Sequence, residues 1–140
     1  MAQAIFASEV RKRSLPVQVS SAGIDDFEGM LAAREARLTC DRNHTPMPKF
    51  VATHVATTDI AGATRVFVME QSHVNALTAT TPIPPDRISL LGEFDPQGRG
   101  ADIDDPIGHD KVAFERCYER MRDCIIHYLD TTEDFNGAAG

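Results

Sequence analysis

At 140 residues the chain is the size of a single domain, and a chain this long buries roughly 68–70% of its unfolded surface, enough for a real core. Its 42% apolar and 25% charged residues are ordinary for a globular protein, and no apolar run approaches the length of a membrane-spanning helix. A net charge of −7 argues against a nucleic-acid binder, which presents a basic face, but leaves room for a phosphorylated ligand in a locally positive pocket.

From the first residue, Met1 to about Arg13 predicts an amphipathic helix, with Met1, Ile5, Phe6 and Val10 on one stripe. Arg11-Lys12-Arg13 follows those apolar residues, the wrong order for a signal peptide. Pro16 ends the helix, because the residue before a proline avoids the helical region. Val17 to Ser20 alternates as a short strand, closed by Ala22-Gly23. Residues 24–30 read as a loop, and Leu31 to about Arg42 as a second helix rich in good helix formers. Pro46 and Pro48 make the next stretch irregular, and Thr58-Asp59 could cap a short helical turn. Arg65 to Met69 is a nearly unbroken apolar run, as expected of a strand buried on both faces of a parallel sheet. Glu70 to Ala79 predicts a helix and Arg87 to Leu91 another strand. Gly92 to Asp110, rich in Gly, Pro and acidic residues, is a loop long enough to suggest function. The last helix is the clearest: Val112, Phe114, Cys117, Tyr118, Met121, Cys124, Ile125 and Tyr128 recur at helical spacing. Residues 131–140 are small and polar, and are expected to form a disordered tail. Strands alternating with helices predict a parallel sheet with helices on both faces.

The residues that could carry chemistry are few. DIDDPIGHD, residues 102–110, brings four aspartates, a proline and a glycine into one loop. In open α/β sheets ligands bind beyond the carboxyl ends of strands, and a proline after an aspartate can fix its aim. The competing reading is a solvated acidic turn in which Asp110 caps the next helix. Cys40, Cys117 and Cys124 are too few and too scattered for a disulfide framework. Cys117 and Cys124 fall about 10.5 Å apart along one helix axis, beyond disulfide reach. Reduced cysteines in a cytoplasmic protein are therefore expected. Of the five histidines no two stand at i, i+4, and none pairs with cysteine at zinc-finger spacing, so no metal site is expected.

Four segments, SSAG at 20–23, VFVMEQS at 66–72, LLGEFDP at 90–96 and DIDDPIG at 102–108, resemble the low-molecular-weight protein tyrosine phosphatase family. The likeness runs from residue 1 to about 130, in the family's order and spacing. It implies an α/β three-layer sandwich with a short parallel sheet. In that family a helix like Met1–Arg13 follows directly after a phosphate-binding loop, Cys-x5-Arg-Ser-Pro. Here the first central strand and that loop are missing, and the chain reads as N-terminally truncated. None of the three cysteines replaces the nucleophile: six residues on stand Pro46, Asp123 and Asp130.

The resemblance further implies phosphomonoester hydrolysis through a cysteinyl-phosphate, acting on phosphotyrosine in proteins, with no metal or organic cofactor. The partners would be a phosphorylated protein or a small phosphomonoester, not nucleic acid or membrane. Asp105, followed by Pro106, matches the family's general acid, with Asp104 its close competitor by position. Ser21 matches a serine that supports the phosphate loop. Ile107 and Gly108 stand where animal members carry two tyrosines, and 50–55 keeps only the alanine of a His-x-Ala-Arg-like stretch. The alternatives are a protein arginine phosphatase, an arsenate reductase of this fold, which Cys117 and Cys124 do not suit if they face the core, and a non-catalytic interaction domain. As it stands, the chain is expected to be inactive.

Overall fold

The computed structural model describes residues 1–24, 32–47, 53 and 60–135. Four helices, α1 (Ala2–Lys12), α2 (Arg34–Arg42), α3 (Gln71–Thr80) and α4 (Lys111–Thr131), accompany two strands, β1 (Val66–Val68) and β2 (Ile88–Leu90). One-turn 3₁₀ helices sit at Ile60–Gly62, Pro85–Arg87 and Leu91–Phe94. The strands are parallel, with Val66 opposite Ile88, Phe67 opposite Ser89 and Val68 opposite Leu90. Parallel neighbours cannot be joined by a hairpin, and α3 provides the crossover.

Side-chain alternation along the strands creates two cores. Val66, Val68, Ile88 and Leu90 join Val74 and Leu77 of α3, and Ile83, on one face. Phe67 joins the opposite core, built from Ala4, Ile5 and Val10 of α1, Cys40 of α2 and Tyr118, Met121, Cys124, Ile125, Tyr128 and Leu129 of α4. The sheet thus lies between α3 and the group α1, α2 and α4, the three layers that the sequence predicts. Aromatic rings tie the larger core to the sheet: the Phe67 centroid is 4.7 Å from that of Tyr128 and 5.1 Å from that of Phe6. Such offset and edge contacts add to simple burial.

The sequence is corrected at three places. Residues 17–20 form no strand. Val17 and Val19 are half-buried and Gln18 and Ser20 exposed, as alternation requires, but no neighbouring chain pairs with them among the described residues. The nearest pairing is an isolated bridge, in which the Gly23 amide donates to the Thr53 carbonyl at 2.7 Å. Val112, placed on the apolar stripe of α4, is 51% exposed, because it lies in the first turn, ahead of the packed surface. Cys117 is only partly buried, although its helical spacing suggests the core. Leu31, most of the loop at 24–30, most of 50–55 and the cap at Thr58-Asp59 lie outside the described residues.

At the far end, α4 runs to Thr131 and Asp134 and Phe135 pack back onto the fold. Asp134 accepts two hydrogen bonds from Arg65, both at 3.1 Å, and one from the Tyr128 hydroxyl at 2.6 Å. Phe135 stacks edge-on against Tyr128. Of the tail expected to be disordered, 136–140 lie outside the described residues.

Both α1 and α2 end without glycine. Ser14 (φ 54°) and His44 (φ 59°) adopt the left-handed conformation. Leu15 and Thr45 donate back to the carbonyls of Val10 and Cys40, at 2.9 and 3.0 Å, closing Schellman motifs. A side chain at such a position is strained, and glycine removes the strain at some entropic cost in the unfolded chain. Ser14→Gly and His44→Gly are each expected to raise stability by about 0.5–1 kcal/mol, read by thermal unfolding.

Candidate functional site

The site is built around the first turn of α1. Met1 precedes this helix and supplies no capping side chain. A helix start gathers partly unpaired amides and partial positive charge, the ordinary basis of an anion site. From one side comes Ser21, whose hydroxyl donates to the Gln3 Oε1 at 2.6 Å. From the other comes the loop 101–110, which runs from beside β1 to α4.

That loop is anchored at several points. The Ile103 amide donates to the Met69 carbonyl just beyond β1, at 2.8 Å, and the Ile103 side chain is buried in the larger core. The Asp102 carboxylate accepts from the Gln71 amide at the start of α3, at 3.0 Å. One oxygen of Asp105 accepts from the Ile107 amide at 3.0 Å, an Asx-turn that fixes the side chain relative to Pro106. Gly108 takes a left-handed φ of 81°, which lets the chain turn into α4. There Asp110 caps the helix, accepting from the Ala113 amide at 3.0 Å. The capping reading of Asp110 and the ligand-directed reading of the loop are therefore compatible, since they concern different aspartates.

Burial lowers the pKa of the Met1 α-amine, while the charges of Cys40, Cys117 and Asp105 push it back up. Burial raises the Cys117 thiol to about 11, with Asp105 the next cause and Asp104 a smaller one. Asp104 uses its carbonyl instead, as a weak acceptor for the Cys117 thiol at 3.9 Å. Ser21 thus reaches the first turn of α1 through Gln3, and Asp105, 84 positions further along the sequence, is among the charges that act on the Met1 α-amine. Exposed Ile107 lies two residues beyond Asp105 on the same loop, 65% accessible.

Sequence reasoning missed Gln3, the partner of Ser21, and it missed the placement of Cys117 beside the acidic loop. Gln3 carries no motif. Cys117 falls at the edge of the α4 stripe, where helical spacing alone does not separate core from rim. The cavity of about 240 Å³ lined by Arg34, Arg37, Leu38, Asp41 and Met47 involves neither Asp105 nor Ser21.

None of the cysteines is primed for attack. Burial raises all three thiols, Cys117 and Cys124 to about 11, whereas nucleophilic cysteines have lowered values. Alkylation of Cys117 by iodoacetamide at pH 8 is expected to be about a hundredfold slower than that of a free cysteine. Asp105→Asn should speed it, since removing the nearby negative charge favours the thiolate. Peptide mapping by mass spectrometry would read both rates, and no change with Asp105→Asn would place Asp105 away from Cys117.

A short parallel sheet between helix layers is an α/β three-layer sandwich. The chain belongs to the low molecular weight phosphotyrosine protein phosphatase family, whose model matches residues 1–134. Solved structures agree on the fold. A low molecular weight protein tyrosine phosphatase from T. tengcongensis superposes with a TM-score of 0.84 at 24% identity, covering 94% of this chain and 88% of that one. Wzb from Vibrio vulnificus, in complex with benzylphosphonate, gives 0.82 at 21% identity with the same coverage. The YwlE arginine phosphatase from Geobacillus stearothermophilus gives 0.76 at 22% identity, again covering 94% and 88%. No curated protein matches the sequence. Among the described residues, no helix is long and apolar enough to cross a membrane.

Proposed function

We propose that the chain is the body of a phosphomonoester hydrolase that dephosphorylates phosphotyrosine on proteins, with Asp105 as general acid and Ser21 as support for a phosphate loop. In a protein that carries the family's Cys-x5-Arg loop ahead of α1, a cysteine thiolate attacks phosphorus and the bond to the leaving oxygen breaks, while Asp105 gives that oxygen its proton. Asp105 then takes a proton from water, the water oxygen bonds to phosphorus, and the sulfur–phosphorus bond breaks to release inorganic phosphate and the thiolate. The supporting observation is geometric: an Asx-turn onto the Ile107 amide fixes the Asp105 carboxylate, and Ser21 bonds Gln3 in the first turn of α1. In the family that turn follows the phosphate loop. Asp105 is also an exposed carboxylate with one oxygen occupied by the Ile107 amide, which leaves the other for a substrate.

The 140 residues contain no Cys-x5-Arg, so they are expected not to turn over para-nitrophenyl phosphate. Losing a nucleophile commonly costs several orders of magnitude. Extending the protein ahead of Met1 with a strand and a Cys-x5-Arg-Ser-Pro loop should create the activity. Turnover by the 140 residues that survives replacement of all three cysteines would sink the cysteinyl-phosphate route.

One observation favours a second reading, protein arginine phosphatase. The residue after Asp105-Pro106 is exposed Ile107, not an aromatic side chain that would stack on a phenyl ring. Comparing phosphotyrosine and phosphoarginine peptides as substrates of the extended protein separates the two.

A further inference from the structure

Beyond β2 the chain turns at Asp95, whose side chain is completely buried and faces two guanidiniums. Its Oδ1 accepts from the Gln97 amide at 2.9 Å and from Arg99 Nη2 at 3.2 Å. Its Oδ2 accepts from Arg99 Nε at 2.8 Å and from Arg120 Nε at 3.0 Å. Arg99 continues outward to Asp123, at 3.1 Å. Arg120, in the middle of α4 and 15% exposed, points the rest of its guanidinium at main chain: Nη1 donates to the Asp102 carbonyl at 2.9 Å and Nη2 to the Gly100 carbonyl at 2.5 Å.

The segment that Arg120 grips is the entry to the acidic loop. It passes directly over Gly92, where a Cβ would lie 2.2 Å from the Ala101 carbonyl oxygen. Between residues 99 and 105 the described backbone makes one main-chain hydrogen bond outside the regular elements, from Ile103 to Met69. The guanidinium therefore supplies a large share of what holds this stretch. A planar fork with donors at fixed angles can meet a carboxylate and two carbonyls at once, which an ammonium on a flexible stem cannot. The buried carboxylate of Asp95 in turn keeps the fork from swinging.

We propose that Arg120 is a positioning residue: held by Asp95, it fixes the main chain at Gly100 and Asp102 and so sets where the Asp105 carboxylate stands. The functional meaning of this clamp rests on Asp105 being the general acid; its geometry does not. Removing the fork leaves Asp95 with Arg99 and the Gln97 amide, so no buried charge is stranded and the fold should survive.

The test is amide hydrogen exchange by NMR on the full 140-residue protein and on its Arg120→Gln and Arg120→Lys variants. In Arg120→Gln, the Ile103 and Ile107 amides are expected to exchange at least about tenfold faster, while Ile125 and Tyr128 in α4 keep their protection. The Ile107 amide resonance, which reports its bond to the Asp105 carboxylate, should shift as well; a purely stabilising role would leave it in place. Arg120→Lys should behave like Arg120→Gln, because it keeps the charge and loses the fork. Unchanged exchange at Ile103 and Ile107, an equal loss of protection across the whole protein, or full rescue by lysine would each overturn the proposal. The acid role is judged separately. If the loop loosens in Arg120→Gln while Asp105→Asn leaves hydrolysis by the extended protein intact, the clamp stands and the acid assignment falls; the reverse pattern removes only the clamp.

Discussion

Asp105→Asn, in the protein extended by a Cys-x5-Arg-Ser-Pro loop, is expected to lower kcat by about 10²–10⁴-fold, the usual contribution of a general acid. Asp104→Asn should change it little. The two residues are neighbours and both are exposed, but they are used differently. Asp105 turns its carboxylate over Pro106 onto the Ile107 amide and is among the charges acting on the start of α1. Asp104 contributes a carbonyl to Cys117. The loss should grow with the basicity of the leaving oxygen. A phenolate, with a conjugate acid near pKa 10, needs the proton far more than an activated nitrophenolate does. Rates for a series of aryl phosphates would display this as a steeper leaving-group dependence in Asp105→Asn. Equal losses in the two variants, or a slope that does not change, would refute the assignment.

Much of this could be read from the residues because local signals and tertiary demands coincide. α4 carries an apolar stripe and an aspartate cap, so its pattern and its start at Asp110 agree, and burial follows the stripe except at Val112 and Cys117. The run at 65–69 is apolar on both faces because α3 covers one and α1 and α4 the other. Residues 17–20 show the opposite case. Their alternation describes a surface half-buried on one side, which is correct, but a strand also requires a partner, and partnership is not encoded in four residues. The site divides in the same way. In the sequence Asp105 stands out because proline follows it, and Ser21 because it lies in the SSAG segment. Arg120 does not, because nothing in one helical turn reveals that its guanidinium meets carbonyls 18 and 20 positions earlier. Asp95 and Arg99 stand at i, i+4, a spacing that hints at an ion pair, but Asp95 lies in a turn where helical spacing has no force.

Asp95→Ala is expected to cost the largest share of stability of any single change at this end of the sheet, about 3 kcal/mol. Total stability for a domain is only about 5–15 kcal/mol. The substitution removes the common acceptor of Arg99, Arg120 and the Gln97 amide, and leaves two guanidiniums with less than their full set of partners. Both arginines retain some exposure, 35% and 15%, so water relieves part of the loss and the effect stays short of a fully stranded buried charge. Asp95→Asn keeps the shape and an acceptor for Gln97 but gives up the charge, and should cost clearly less. The pH dependence separates the charge from the shape. Burial alone would raise the Asp95 pKa, but hydrogen bonds from Arg99, the Gln97 amide and Arg120 outweigh it and hold the carboxyl down at about 2. A carboxylate depressed in the folded state contributes stability that is complete above its unfolded value of 3.8 and is lost as pH falls through about 2. The gap in stability between the wild-type protein and Asp95→Asn should therefore be widest above pH 4 and shrink steeply towards pH 2, where about half of the folded carboxyl is protonated. Urea unfolding at a series of pH values measures it. A gap that stays constant from pH 6 to pH 2 would mean that the carboxylate charge contributes nothing, and that Asp95 acts through packing and its neutral hydrogen bonds alone.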